Sequence, residues 1–344
     1  MKSIKPIAVL TMIVALITVL IPAVMVLPFY KDNQEKGILG ERSPSQKKTG
    51  EVQISELDDS NIKVKVWRKS TDKVVELPLE KYVAGVVAAE MPAKFELEAL
   101  KAQALTARTY IMNKKVKGAA ASLKGADVTD TISDQVYKSN DELRKSWMDK
   151  YDANIKKVAK AVLATKGEII TYEQQPITAF FFSTSNGYTE NAEAYWKNAT
   201  PYLKSVASPW DKESPKFAST KVMTAAEFEK KLGIKMKNGA DMGNIIGRTP
   251  GKRVASVDFG GKVLSGKTIR ERLDLRSTDF TWKRKGSNII ISTKGYGHGV
   301  GMSQYGADGM AKEGKSYKDI VHYYYKGIQI ASADSLMNPN VAQK

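Results

Sequence analysis

The stretch Leu79–Asn113, LEKYVAGVVAAEMPAKFELEALKAQALTARTYIMN, constrains this chain more than any other. Tyr82, Val83, Val86, Val87 and Ala89 recur at helical spacing, and Pro78 stands where a helix can begin. Pro92 disfavours helical geometry at Met91, so the first helix is predicted to end there. Leu97, Leu100, Ala104, Ala107 and Ile111 share one face of a second helix, with Lys101 and Arg108 together on another. Glu90 falls in the last turn of the first helix, among Val86, Val87, Ala88, Ala89 and Met91. A helix C-terminus repels negative charge and apolar surroundings disfavour ionisation, so both raise a carboxyl pKa. That is what a general acid near neutral pH needs. A solvent-facing glutamate at a helix end satisfies the same spacing.

With 344 residues, the chain has room for one large domain, or a core with a smaller lobe, beyond its N-terminal segments. Its net charge of +17 suits an anionic wall, an anionic membrane surface or nucleic acid, and equally a solvated lysine-rich surface. No nucleic-acid-binding pattern accompanies the charge, so no nucleic-acid partner is expected. The absence of cysteine excludes disulfides, thiolate metal sites, a cysteine nucleophile and an N-terminal lipid-modified cysteine. His298 and His322, the two histidines, cannot form a histidine-rich metal centre. Neither a metal nor a cofactor is expected.

Ile7 to Phe29 is uncharged, follows Lys2 and Lys5, and is long enough to span a bilayer. It exceeds a signal-peptide core and no clear A-x-A site follows. We therefore expect a cytoplasmic tail at 1–6 and an uncleaved transmembrane anchor at 7–29, with a cleaved signal peptide as the alternative. Residues 30–60 are polar with little apolar periodicity and read as a flexible tether.

Folded structure is expected from 61 to 335, followed by a tail at 336–344. The class is α+β: helices around small antiparallel sheets, with a smaller inserted lobe at about 208–270. Asn61–Arg68 and Asp72–Leu77 read as strands joined by a turn at Ser70–Thr71. Asn140 to about Thr165 reads as one helix ended by Gly167. Glu168–Tyr172 and Ile177–Ser183 are further strands, with a turn around Gln174–Pro176. Thr224-x-x-Glu227 is a capping box for a helix over Ala225–Leu232. Ser316–Tyr325 is a last helix and Ile328–Ile330 a closing strand, with His322 structural. Gly261–Thr268 matches GxxxxGK[ST], but Val254–Phe259, Gly260–Gly261 and Lys262–Leu264 read more simply as a hairpin, with Thr268 capping the helix that follows.

Two loops stand out. Ser183–Glu190, STSNGYTE, offers hydroxyl and amide groups suited to sugars, or is ordinary turn chemistry. Gly295–Gly309 packs six glycines around His298, Ser303, Gln304 and Tyr305, which brings backbone close to a ligand or to a neighbouring strand.

The run Leu79–Arg108 with AAEMP and ALKAQALTARTY, together with FFFSTSNGYTE (Phe180–Glu190) and GYGHGVGMSQYGADGMA (Gly295–Ala311), resembles the stage II sporulation protein D family. The resemblance runs from about Val64 to Ile330 and covers the N-terminal anchor. It implies a peptidoglycan lytic transglycosylase of endospore-forming bacteria with Glu90 as the catalytic acid. Such an enzyme needs one carboxyl group, because the C6 hydroxyl of the substrate closes onto C1. Glu96, Glu98 and Glu190 stand as helpers. Substrate contacts are expected from Lys101, Gln103, Arg108, Tyr110, Ser183, Ser185, Asn186, Glu190, Tyr202, His298, Ser303 and Gln304. Lys101, Arg108 and Lys204 would read the lactyl carboxylates of peptide-stripped strands. An Arg108–Glu90 pair would oppose the acid role by lowering the Glu90 pKa. Zinc bound through cysteines in some relatives is not carried over. The resemblance further implies a peptide-stripping amidase/endopeptidase and a membrane scaffold as partners in the engulfment complex. It places the chain in the cell membrane at the sporulation septum, with the catalytic domain on the wall side. The rivals are a non-catalytic wall-binding enhancer of an amidase and a membrane-tethered scaffold.

Overall fold

A computed structural model describes residues 54–118, 123–196, 198–236 and 242–334. The expected anchor at 7–29, most of the tether and the C-terminal tail lie outside these residues. Among the described residues no helix is long and apolar enough to cross a membrane.

Strand β1 (Lys63–Arg68) pairs antiparallel with β2 (Lys73–Pro78) in the register Lys63↔Pro78 to Arg68↔Lys73. Val64 and Val66 are fully buried between exposed lysines, the period-2 alternation of a strand with one face on a core. Pro78 leads directly into helix α1 (Leu79–Glu90), whose end falls as expected. Met91 is extended at φ −122 and ψ 134, the geometry the following Pro92 requires.

Helix α2 (Leu97–Lys117) differs from the two-faced reading. It is buried on nearly all sides from Ala99 to Asn113, including Gln103, Thr106, Arg108 and Thr109. Alanines on α2 let α1 and the later helices pack close around it, and that encirclement covers the supposed polar face. A two-residue strand β3 (Val128–Thr129) then adds to β1 in parallel.

The single helix expected over 140–165 is two. A capping box at Ser139 and Glu142 starts α3 (Asn140–Trp147), Met148 turns the chain at φ +49, and α4 (Tyr151–Leu163) follows. Strand β4 (Glu168–Tyr172) pairs with β5 (Gln175–Pro176) across a turn where Glu173 and Gln174 both have positive φ. The expected strand Ile177–Ser183 survives only as β6 (Phe181–Phe182). A short helix, α5 (Ala192–Trp196), completes this part.

A second apolar core draws on residues from Met223 to Ile291, centred on Phe228, Val257, Ile269, Phe280 and Ile289. It is built by β7 (Ala218–Thr224), α6 (Ala225–Leu232), β8 (Asn244–Arg248), β9 (Val254–Asp258), β10 (Val263–Ser265), α7 (Gly266–Arg272), β11 (Asp279–Lys285) and β12 (Asn288–Lys294). Its strands continue past 270, because β12 inserts between β11 and β7. Thr224 caps α6 through the Glu227 amide. The phosphate-loop-like run forms the β9–β10 hairpin, with Gly260 and Gly261 at positive φ in the turn. Ser265, not Thr268, accepts at the start of α7, from the Thr268 N–H.

The chain then returns to the first core through β13 (Met302–Ser303), α8 (Gln304–Lys312), α9 (Tyr317–Tyr324) and β14 (Gln329–Ser332), the last pairing with β4. Strand β13 runs parallel to β6, and isolated bridges join Thr184 to Tyr296 and Glu190 to Val300. The sheets are therefore small, as expected, but among the described residues two strand pairings, β1–β3 and β6–β13, are parallel. These bridges carry the glycine-rich stretch onto the serine-rich loop. Gly301 shows why glycine is needed: at φ +82, a Cβ there would sit 2.0 Å from the Phe180 carbonyl oxygen.

Candidate active site

An open groove of about 1000 Å³ is lined on one side by Glu90, Tyr110 and the segment Ile132–Gln135. Ala179–Ser183, Tyr195, Trp196 and His298 form another wall, and Lys216, Arg270, Asp274 and Arg276 a third.

Glu90 reaches the groove from the last turn of α1 and is half-buried. Burial raises its pKa, and the Val136 N–H, which donates to Oε1 at 2.8 Å, partly opposes that shift. Among the described residues no cation pairs with it and no donor meets Oε2. The segment carrying Val136 is held against α1 at Gly85, where a Cβ would lie 2.3 Å from the Tyr137 ring. Tyr137 also stacks on Tyr82, with ring centroids 5.7 Å apart.

Asp134 is the second carboxylate on this wall. Burial alone would raise its pKa. The Thr129 amide and hydroxyl and the Lys114 ammonium outweigh that and hold it below the ordinary value. Burial also raises the phenol pKa of Tyr110, and the neighbouring Asp134 adds to the shift. The groove thus holds two carboxyl groups whose surroundings push them in opposite directions.

A second wall is aromatic. Trp196 stacks on Phe180 at 4.3 Å and 27°, and Tyr195 meets Trp196 edge-on at 5.0 Å. Tyr195 and Trp196 are half-exposed, and such rings are suited to the apolar faces of sugars. His298 sits among them, 5.2 Å from Trp196 and 5.7 Å from Phe182. Burial first, then Arg270 and Arg253, push its pKa down to about 3. Its Nδ1 accepts from the Val300 N–H at 3.1 Å, and the ring also bonds the Phe181 backbone. His298 is therefore a neutral, doubly held ring that shapes the wall and is not placed to move protons. The cationic wall places Lys216 and Arg276 5.6 and 5.4 Å from the Tyr296 ring, while Arg270 donates to the Tyr195 hydroxyl at 3.0 Å.

The groove brings together Glu90, Tyr110, Ser183, His298 and Gln304 from the expected set. Gln103 lies behind it, accepting from Gln304 at 3.4 Å. The others are corrections. Arg108 is fully buried and pairs with Glu80 at 2.6 Å, so it neither meets substrate nor opposes Glu90. Lys101 pairs with Glu98 at 2.6 Å and Lys204 with Glu193 at 2.9 Å. Ser185 and Ser303 donate to the buried Asp211 at 2.9 and 2.5 Å, tying the serine-rich loop to the start of α8. Glu190 is buried against Thr249 and the Gly251 N–H, which removes it as a helper. Glu96, at the start of α2, and Glu98 are also outside the groove lining. Asn186 lines a separate cleft with Tyr188, Arg248 and Lys252. The Tyr202 hydroxyl oxygen accepts from the Thr178 N–H at 3.0 Å, a packing role. Among the described residues no cluster of three or more His, Cys, Asp or Glu could hold a metal.

Sequence reasoning missed Asp134, Gln135, Tyr195, Trp196, Lys216, Arg270 and Arg276. The adjacent Tyr195–Trp196 pair was the legible signal. The cations were not distinguishable among the chain's 54 lysines and arginines.

A family model described as stage II sporulation protein matches residues 67–172. Stage II sporulation protein D of Bacillus subtilis (strain 168) is 50% identical over 343 residues, covering 99% of this chain and 100% of that protein. The protein of the same name from Bacillus amyloliquefaciens is 50% identical over 346 residues, with the same coverage. An amidase enhancer of Bacillus subtilis is 31% identical over 305 residues, covering 72% of this chain and 40% of that protein. The match extends over both cores and every wall of the groove, and on that evidence the chain belongs to the stage II sporulation protein D family of sporulation proteins.

Proposed function

We propose that this protein is a membrane-anchored lytic transglycosylase that cleaves the MurNAc–GlcNAc bond of peptidoglycan glycan strands and leaves 1,6-anhydroMurNAc ends. The observation that carries the reading is Glu90: a half-buried carboxyl with a raised pKa and no cationic partner among the described residues, facing an open groove walled by aromatic rings. A neutral Glu90 donates its proton to the glycosidic oxygen. As a carboxylate it then takes the proton of the C6 hydroxyl as that oxygen closes onto C1. Trp196 and Tyr195 offer stacking faces for sugar rings. Purified glycan incubated with the protein is expected to yield anhydro-ended products that Glu90→Gln does not form. Hydrolytic products alone, or full activity in Glu90→Gln, would overturn the assignment.

The substrate preference we assign is for strands stripped of stem peptides, whose lactyl carboxylates repeat along the chain. Lys216, Arg270 and Arg276 are the groove cations suited to them, in place of Lys101, Arg108 and Lys204. The protein acts with a peptide-stripping amidase/endopeptidase and a membrane scaffold, anchored at the sporulation septum with its folded domain on the wall side. Protease applied outside intact protoplasts should digest that domain; full protection contradicts the orientation. The likeness to an amidase enhancer supports a second reading, a non-catalytic wall-binding module. Product analysis separates the two, because only a transglycosylase creates anhydro ends.

A further inference from the structure

The Val136 N–H on Oε1 is the one protein hydrogen bond to the Glu90 carboxyl among the described residues. It favours carbonyl character at Oε1, so a neutral Glu90 carries its proton on Oε2. Whatever fixes Val136 therefore fixes the direction of the acid proton.

Asp134, two residues away, is built into its surroundings from two sides. Its Oδ1 accepts from the Tyr110 hydroxyl at 3.1 Å and pairs with Lys114 at 3.0 Å, both on α2. Its Oδ2 accepts from the Thr129 amide and the Thr129 hydroxyl, each at 2.9 Å, on β3. Its own amide closes a turn on the Thr131 carbonyl at 3.0 Å. The carboxylate thus clamps the Thr129–Val136 segment between α2 and β3. Tyr110 lines the groove beside it, with its proton committed to Asp134.

We propose that Asp134 is a positioning residue: through the Thr129–Val136 segment it aims the Glu90 Oε2 proton, and by accepting from Tyr110 it leaves an oxygen lone pair of Tyr110 to receive a sugar hydroxyl. This rests on the reading of Glu90 as the general acid.

The test is Asp134→Asn, which keeps the volume but puts an amide donor against groups that already donate. Per folded molecule, kcat on purified glycan should fall about 10- to 100-fold. The alkaline limb of the pH profile should move upward, because Glu90 loses an N–H that favours its carboxylate. Tyr82 on the same helix and, across the groove, Lys216, Arg270, Asp274 and Arg276 are unchanged in this variant. A merely structural role would lower the folded fraction and leave the limb in place. Thr129→Val removes one donor from Asp134 and should shift the limb in the same direction by less; it serves alone if Asp134→Asn does not fold. Variants whose normalised kcat and pH limb superimpose on the wild type overturn the proposal. Full activity in Glu90→Gln overturns instead the acid reading, and the positioning role with it.

Discussion

Helix α1 carries two glutamates with opposite fates. Glu80, in its first turn, is 2% exposed and grips Arg108 through Nε at 3.0 Å and Nη2 at 2.6 Å. Arg108 also donates to Thr165 and to the Glu168 and Val162 carbonyls, so the pair is satisfied on every side and joins α1, α2, α4 and β4. Glu90, one helix length away, is less buried but has a single amide donor and no cation among the described residues. Burial did not decide which glutamate is suited to acid chemistry; the partner did. A paired carboxylate is a structural charge, whereas a half-buried unpaired one is held towards its neutral form.

The comparison breaks most directly at Glu90. Glu90→Gln should lower glycan cleavage about 10²- to 10⁴-fold while far-ultraviolet circular dichroism is unchanged, the range expected for loss of a general acid. Glu80→Gln should do the reverse. Leaving Arg108 buried without its counter-charge costs about 3–5 kcal/mol, to be read in denaturant unfolding, with residual activity in the fraction that stays folded. If Glu80→Gln left stability untouched and abolished cleavage, the roles assigned to the two carboxylates would be exchanged.

A pH series sharpens the contrast. The folded-state pKa of Glu90 lies above its ordinary value, so folding favours the protonated form. Its contribution to stability is present below the unfolded pKa and declines as pH rises through the folded one. Glu90→Gln, which cannot ionise, should therefore be more stable than the wild type at pH 7 and lose that advantage in acid. Identical pH–stability curves would mean that Glu90 is not held towards neutrality. Activity should fall as pH rises through the same window.

Effects at the other walls should be smaller. Trp196→Ala removes a stacking face and should raise KM about 2- to 10-fold with little change in kcat, the scale of one aromatic contact. Faster cleavage of amidase-treated than of intact sacculi should weaken as salt rises from about 0.1 to 0.5 M, because screening shortens the reach of Lys216, Arg270 and Arg276. A preference insensitive to salt would remove those cations as its cause.

Local rules made much of this legible. The end of α1 at Glu90 followed from Pro92, the start of α6 from Thr224, and the β9–β10 turn from its paired glycines, because each depends on neighbours in the chain. The misreadings share a cause. Arg108 and Lys101 fall together on a helix drawn in isolation, but α2 is surrounded, so one is sealed in an ion pair and the other turns to Glu98. Ser185 and Ser303 looked like ligands for sugar until Asp211, distant in sequence, claimed both.

Neighbours in the chain were enough to set the helix end at Met91–Pro92, the apolar company of Glu90 and the glycine-rich close approach, since backbone sterics and helical period act over a few residues. Which charges meet depended on packing between elements far apart in the chain. Glu80 with Arg108, Asp134 with Lys114 and Tyr110, and Trp196 with Phe180 are partnerships across separate elements. A charge becomes structural or chemical according to the neighbour that packing brings within hydrogen-bond distance.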